Sequence, residues 1–82
     1  MTTILIYGAN GYTGQLLAEH AVAQGLRPIL AGRDPDKLQP LAARLGLKSR
    51  AARLDDPQRL RAILAGVTTV IHAAGPLSLI HI

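Results

Sequence analysis

The 82-residue chain has no cysteine, no phenylalanine, no tryptophan and only two tyrosines. Without thiols there is neither a disulfide framework nor a thiolate metal site, which fits a cytoplasmic chain. The three histidines, His20, His72 and His81, share no ligand spacing, so no metal centre is expected. Five acidic residues stand against nine Lys and Arg, for a net charge of +4. Arg44, Lys48, Arg50, Arg53, Arg59 and Arg61 fall close together in the sequence, but they spread over two expected helices and a strand. No stacking aromatics lie among them, so they read as a solvated basic surface and no nucleic-acid partner is expected. No apolar run is long enough to span a bilayer, and Met1-Thr2-Thr3 lacks the basic start of a signal peptide. A catalytic Tyr-x-x-x-Lys pair is absent too: four residues after Tyr7 stands Gly11, and four after Tyr12 stands Leu16.

What the chain has instead is an aliphatic diet of Ala, Leu, Ile and Val, which suits helices packed on a parallel sheet. A continuous apolar run at residues 3–7 predicts a central strand. The pattern at residues 12–24 predicts a helix with Leu16, Leu17, Ala21 and Val22 inward, ended by Gly25. Residues 27–31 form a second expected strand. Asp34-Pro35 reads as N-cap and first helical residue of a second helix reaching Leu45 and stopped by Gly46. Pro40 within it predicts a kink or a restart, since an interior proline costs about 3 kcal/mol. Residues 49–54 form a third, less apolar strand expected near an edge. Asp56-Pro57 opens a third helix, with Leu60, Ile63 and Leu64 inward and Gly66 at its end, and residues 67–73 form a fourth strand. Right-handed crossovers then give an α/β fold, half of a doubly wound Rossmann sheet: four parallel strands in order 3-2-1-4 with three helices. At this length only about 60–65% of the unfolded surface is buried, so stability is marginal.

The chain is organised around residues 8–14, Gly-Ala-Asn-Gly-Tyr-Thr-Gly. Strand, glycine turn and helix start are the arrangement that holds a dinucleotide pyrophosphate. Gly8 allows the tight turn, Gly11 lets backbone approach a phosphate, and Gly14 lets helix and strand pack closely. The second signal lies at the end of the second strand, where this fold meets the adenosine ribose. A carboxylate there would bond the 2′-hydroxyl of NAD; here Gly32 is followed by Arg33, whose guanidinium suits a 2′-phosphate. Small-then-basic predicts NADP(H). Asp34, ahead of Pro35, reads as a cap.

The run Ile-Tyr-Gly-Ala-Asn-Gly-Tyr-Thr-Gly (6–14), with Leu-Ala-Gly-Arg-Asp-Pro-Asp-Lys-Leu (30–38) and His-Ala-Ala-Gly-Pro (72–76), resembles the N-terminal NADP-binding domain of the saccharopine dehydrogenase-like family. That family includes the trans-acting enoyl reductases. The glycine turn is shared with atypical short-chain dehydrogenases and N-acetyl-glutamyl-phosphate reductases. The resemblance implies that Gly8, Asn10, Gly11, Tyr12 and Thr13, with Gly14 packing behind them, line the pyrophosphate largely through backbone N–H groups. It implies further that Arg33 holds the 2′-phosphate, and that Ala73, Ala74 and Gly75 back the ribose next to the nicotinamide. Short-chain dehydrogenases often place an Asp at the end of the third strand to bond the adenine amino group. This chain has Arg53 there, with Asp55 a weaker substitute. His72, in an expected buried strand, reads as a packed neutral side chain, and His20 as surface.

Residues 77–82, Leu-Ser-Leu-Ile-His-Ile, do not continue the family pattern. They are also what CTG TCT CTT ATA CAC ATC, the end of a transposase adaptor, encodes. The expectation is an NADP-binding half-domain over residues 1–76, a fragment, followed by a non-native tail, with the fourth strand left with an unpaired edge. The implied function is the NADP(H)-binding portion of an oxidoreductase that meets its small-molecule substrate through a missing domain, with no turnover of its own. The alternatives are a non-enzymatic NADP(H)-sensing regulator and a fragment of an atypical short-chain dehydrogenase.

Overall fold

A computed structural model describes residues 3–73 and, for the backbone, residues 78–81. Its elements run β1 (Ile4–Tyr7), α1 (Tyr12–Ala23), β2 (Ile29–Gly32), α2 (Pro35–Leu45), β3 (Ser49–Ala51), α3 (Pro57–Ile63), β4 (Thr69–His72) and β5 (Ser78–His81). The sheet order is β3-β2-β1-β4-β5, and the first four of these strands are mutually parallel. The expected 3-2-1-4 arrangement with three helices is therefore present, with β3 at an edge.

Period-2 alternation along the central strands divides the core into two layers. Ile6 and Leu30 face α1 and α2, where they meet Ala18, Leu38, Leu41 and Ala42. Leu5, Tyr7, Ile29 and Ala31 point to the other face and pack with Ile63 and Val67, under α3. The inward set expected for α3 holds: Ile63 is buried, with Leu60 and Leu64 packed partly against the same layer. β1 is apolar throughout because both of its faces are covered.

Four expectations need correction. The inward stripe of α1 is carried by Gly14 and Ala18, flanked by half-buried Leu17, whereas Leu16 is 50% exposed. Leu16 lies two residues beyond Gly14, about 200° round the helix, so it turns outward once Gly14 sets the contact face. Next, α2 is a single helix through Pro40, so the expected restart does not occur. Only the bond to the Asp36 carbonyl is forfeited, and both residues lie on the exposed side, where water can serve that carbonyl. Third, β3 stops at Ala51 instead of residue 54. The chain must turn there, with the Asp56 N–H on the Arg53 carbonyl (3.2 Å), to bring Asp56 to its capping position. Finally, the outer edge of β4 is paired. β5 runs antiparallel to it in the register Thr69↔His81 to His72↔Ser78. The five-residue link 73–77 is too short for a parallel crossover, so an antiparallel return is the pairing open to it.

The turn chemistry is as the sequence implies. Gly25, Gly46 and Gly66 have positive φ just beyond the helices they end. Asp34 accepts the Asp36 N–H at 3.0 Å, and Asp56 accepts that of Arg59 at 3.1 Å. Because the four strands are parallel, Tyr7, Gly32, Ala51 and His72 end on one side of the sheet. The order reverses between β1 and β4, the switch point at which such sheets open a crevice.

Candidate functional site

The glycine turn is fastened to the sheet by its own backbone. Gly8, at φ 83°, and Ala9 both donate their N–H to the Ala31 carbonyl at the end of β2, at 2.8 and 3.1 Å. The Gly11 N–H closes the loop onto the Gly8 carbonyl at 3.0 Å. The Gln15 side chain donates back to the Asn10 carbonyl at 2.9 Å. Gly14 sits under this loop so tightly that a Cβ there would lie 2.3 Å from the Gly8 oxygen. Gly8 and Gly14 thus shape the loop, and the Gly8 amide is already committed.

The helix that follows starts differently from the other two. α2 and α3 have aspartate caps, whereas Gly11 at the N-cap of α1 supplies no side-chain bond; the first turn of α1, like that of α3, carries no acidic residue. The N–H groups of Tyr12, Thr13 and Gly14 have no intrahelical acceptor, as at any helix start, and the helix dipole adds partial positive charge. Gly11, Tyr12 and Thr13 are exposed, with Tyr12 82% open to solvent. The exposed N–H groups of this helix start can receive an anion, and Gly11 adds no side chain beside them.

Beside it, Gly32 ends β2. A side chain here would meet the Asn10 Oδ1 at 3.0 Å, so the position that holds a ribose-binding carboxylate in NAD-selective sites cannot carry one without moving Asn10. Arg33 follows, exposed. With Asn10 and Gly11 on one side and Arg53, Leu54 and Asp55 on the other, it encloses a cleft of about 600 Å³ floored by Tyr7. That is the size of a small-ligand pocket. Arg53 and Asp55 form a side-on pair, Nε to Oδ1 and Nη2 to Oδ2, both at 3.1 Å. Leu54 is 59% exposed, an apolar surface at the cleft.

Tyr7 was not an expected member of this group. Its hydroxyl donates to the Ala52 carbonyl at 2.6 Å, tying β1 to the chain beyond β3, and its ring stacks on His72 with centroids 5.9 Å apart. Burial pushes its phenol above the ordinary value; the Arg33 guanidinium opposes this and the Asp55 carboxylate reinforces it. His72 is half-buried and packed against an aromatic ring, and His20 is exposed. Ala73 is buried, and its N–H extends the ladder to the Tyr7 carbonyl at 2.8 Å. Ala74 and Gly75 lie outside the described residues. Among those described, no group of three or more His, Asp or Glu could hold a metal, and no helix is long and apolar enough to cross a membrane.

A second cleft, of about 490 Å³, opens at the opposite side of the sheet beside Arg27, Lys48 and Arg50. Two of these cations are engaged. Arg27 donates to the Gly46 carbonyl, and Arg50 to those of Ile63 and Ala65 at 2.8 and 3.0 Å. They satisfy the carbonyl-rich ends of α2 and α3, a structural role at the end of the sheet where such folds do not bind ligands.

A family model described as NAD(P)H-binding matches residues 8–78. The trans-acting enoyl reductase of Mycobacterium tuberculosis (strain H37Rv) is 34% identical over 80 residues, covering 89% of this chain and 19% of that protein. The Mycobacterium leprae enzyme of the same name is 34% identical over the same shares. The chain thus spans about a fifth of the length of these curated relatives. Among solved structures, a nucleoside-diphosphate-sugar epimerase from Pseudomonas aeruginosa superposes with a TM-score of 0.76 at 29% identity, covering 88% of this chain and 24% of that one.

Proposed function

Since the chain belongs to the NAD(P)H-binding family, we propose that it is the NADP(H)-holding portion of an oxidoreductase of the saccharopine dehydrogenase-like, trans-acting enoyl reductase type. The observation that carries this reading is that Gly11, the N-cap of α1 with no side-chain cap, and Arg33 line one cleft. The free N–H groups of Tyr12 and Thr13, with the open backbone at Gly11, would hold the pyrophosphate. Asn10 would pack beside it, while Gly8 and Gly14 fix the loop's shape. Arg33 would take the 2′-phosphate, and Ala73, Ala74 and Gly75 would back the nicotinamide ribose. The resemblance to trans-acting enoyl reductases, seen first in the motifs and again in the curated relatives, supports the subtype.

When bound, the nicotinamide supplies hydride exchange with a carbonyl, imine or enoyl carbon. The substrate would be a small molecule held by residues beyond those described here, because among the described residues no acid, base or nucleophile faces the cleft except the ion-paired Asp55 and the bonded Tyr7 hydroxyl. The remaining 77–82 segment is proposed not to belong to the cofactor site, and nucleic acid is not among the proposed partners.

Calorimetric titration with NADPH and NADH tests the cofactor choice. The wild-type chain should prefer NADPH, and Arg33→Ala should reduce that preference about tenfold or more, the scale of one charge-assisted phosphate contact. An Arg33→Ala variant with undiminished NADPH preference would show that Arg33 is not the selecting residue.

A further inference from the structure

We propose that Arg53 is a second specificity-determining residue, acting with Arg33 on the adenosine 2′-phosphate. The inference rests on the NADP(H) reading above and adds a residue that sequence patterns of this fold do not assign to that task. Gly32 and Ala51 are register partners on adjacent strands. Arg33 follows one residue after the first and Arg53 two after the second, so both guanidiniums emerge from neighbouring strand ends, about 4.8 Å apart in the sheet, at one cleft.

The geometry of Arg53 suits a shared ligand. Its side-on pair with Asp55 engages Nε and one hydrogen of Nη2. A guanidinium carries five N–H groups, so three remain, including both on Nη1. The pair itself does little for the fold, since its side chains are 72% and 70% exposed and isolated surface pairs contribute little. Its observable consequence is to fix the guanidinium plane at the rim of the cleft. Among the residues that line the cleft, two arginines stand against one carboxylate, an excess of one positive charge. A phosphate monoester carries about −1.5 to −2 at pH 7 and is attracted to that excess, whereas a neutral 2′-hydroxyl is not. Asp34 and Asp56 keep their charge but do not line the cleft; each accepts a helix N–H as a cap.

Adenosine fragments isolate this contact from the rest of the cofactor. The chain is titrated with 2′,5′-ADP and with 5′-AMP, in the wild type and as Arg53→Ala, Arg33→Ala and the double variant. The expected result is tighter binding of 2′,5′-ADP by the wild type, a fall in that preference of about tenfold in each single variant, and its loss in the double variant. The ratio of the two affinities is the readout, and circular dichroism of each variant reports an intact fold. If Arg53→Ala keeps the full preference while Arg33→Ala loses it, Arg53 has no such role and the NADP(H) reading stands. If Arg53→Ala weakens both fragments equally, its contribution is general rather than selective and the proposal fails. A wild type without any preference overturns the NADP(H) reading, and the role of Arg53 falls with it.

Discussion

At Gly14 one added carbon would lie 2.3 Å from the Gly8 carbonyl oxygen and 2.6 Å from the Ala9 Cα, both backbone atoms that cannot swing aside. At Gly11 the same carbon would lie 3.4 Å from the Gly8 oxygen, an ordinary contact, at φ −76° and ψ 169°, where any residue fits. The two glycines therefore separate folding from binding. Gly14→Ala should cost about 1–3 kcal/mol in urea denaturation, because overpacking against fixed backbone outweighs alanine's better helix propensity. Gly11→Ala should stay within about 0.5 kcal/mol of wild type yet bind NADPH more weakly, since its methyl occupies the approach of the phosphate. Equal stability losses in both, or full NADPH affinity in Gly11→Ala, would contradict this division. The residues legible beforehand were those whose role is local. Glycines in a turn and a basic residue after a strand announce themselves by spacing. Tyr7 did not, because its contact lies far off in sequence; Arg53 and Asp55 stood out by position at the end of the third strand, but their pairing with each other did not. The Tyr7 hydroxyl bonds a carbonyl 45 residues away, and the cleft wall exists only because β3 stops at Ala51.

Capping signals carried most of what could be read at the level of elements. Asp34-Pro35 and Asp56-Pro57 open their helices as expected, and Gly25, Gly46 and Gly66 follow their ends. Pro40 was harder, because propensity measures its cost but not the surroundings that let a helix bear it. Pro40→Ala restores an N–H for the Asp36 carbonyl and removes the ring's crowding of that turn. It should stabilise the chain by about 2–2.6 kcal/mol, the interior-proline penalty less the loss of unfolded-state restriction. Chemical denaturation checks this, and a destabilised variant would mean that the proline ring makes a packing contribution α2 needs. The outward turn of Leu16 is a related case. Hydrophobicity chose the larger residue for the core, but close approach at Gly14 put Ala18 there instead. β5 was unreadable for another reason: a short apolar segment has no period long enough to declare a pairing partner.

Parallel strands give the whole molecule a polarity that no single element has. The C-terminal strand ends gather the uncapped helix start, Arg33 and the Arg53–Asp55 pair into one cleft. At the other end a cleft of comparable size has Arg27 and Arg50 committed to helix carbonyls. Both clefts are basic, so charge alone does not choose between them; free donors and backbone access do. Amide chemical-shift mapping by NMR, with ¹⁵N-labelled chain titrated with NADPH, distinguishes the two directly. The account predicts that the largest shifts fall on Gly11, Tyr12, Thr13, Arg33 and Arg53; shifts centred on Arg27, Lys48 and Arg50, or none at saturating NADPH, would contradict it.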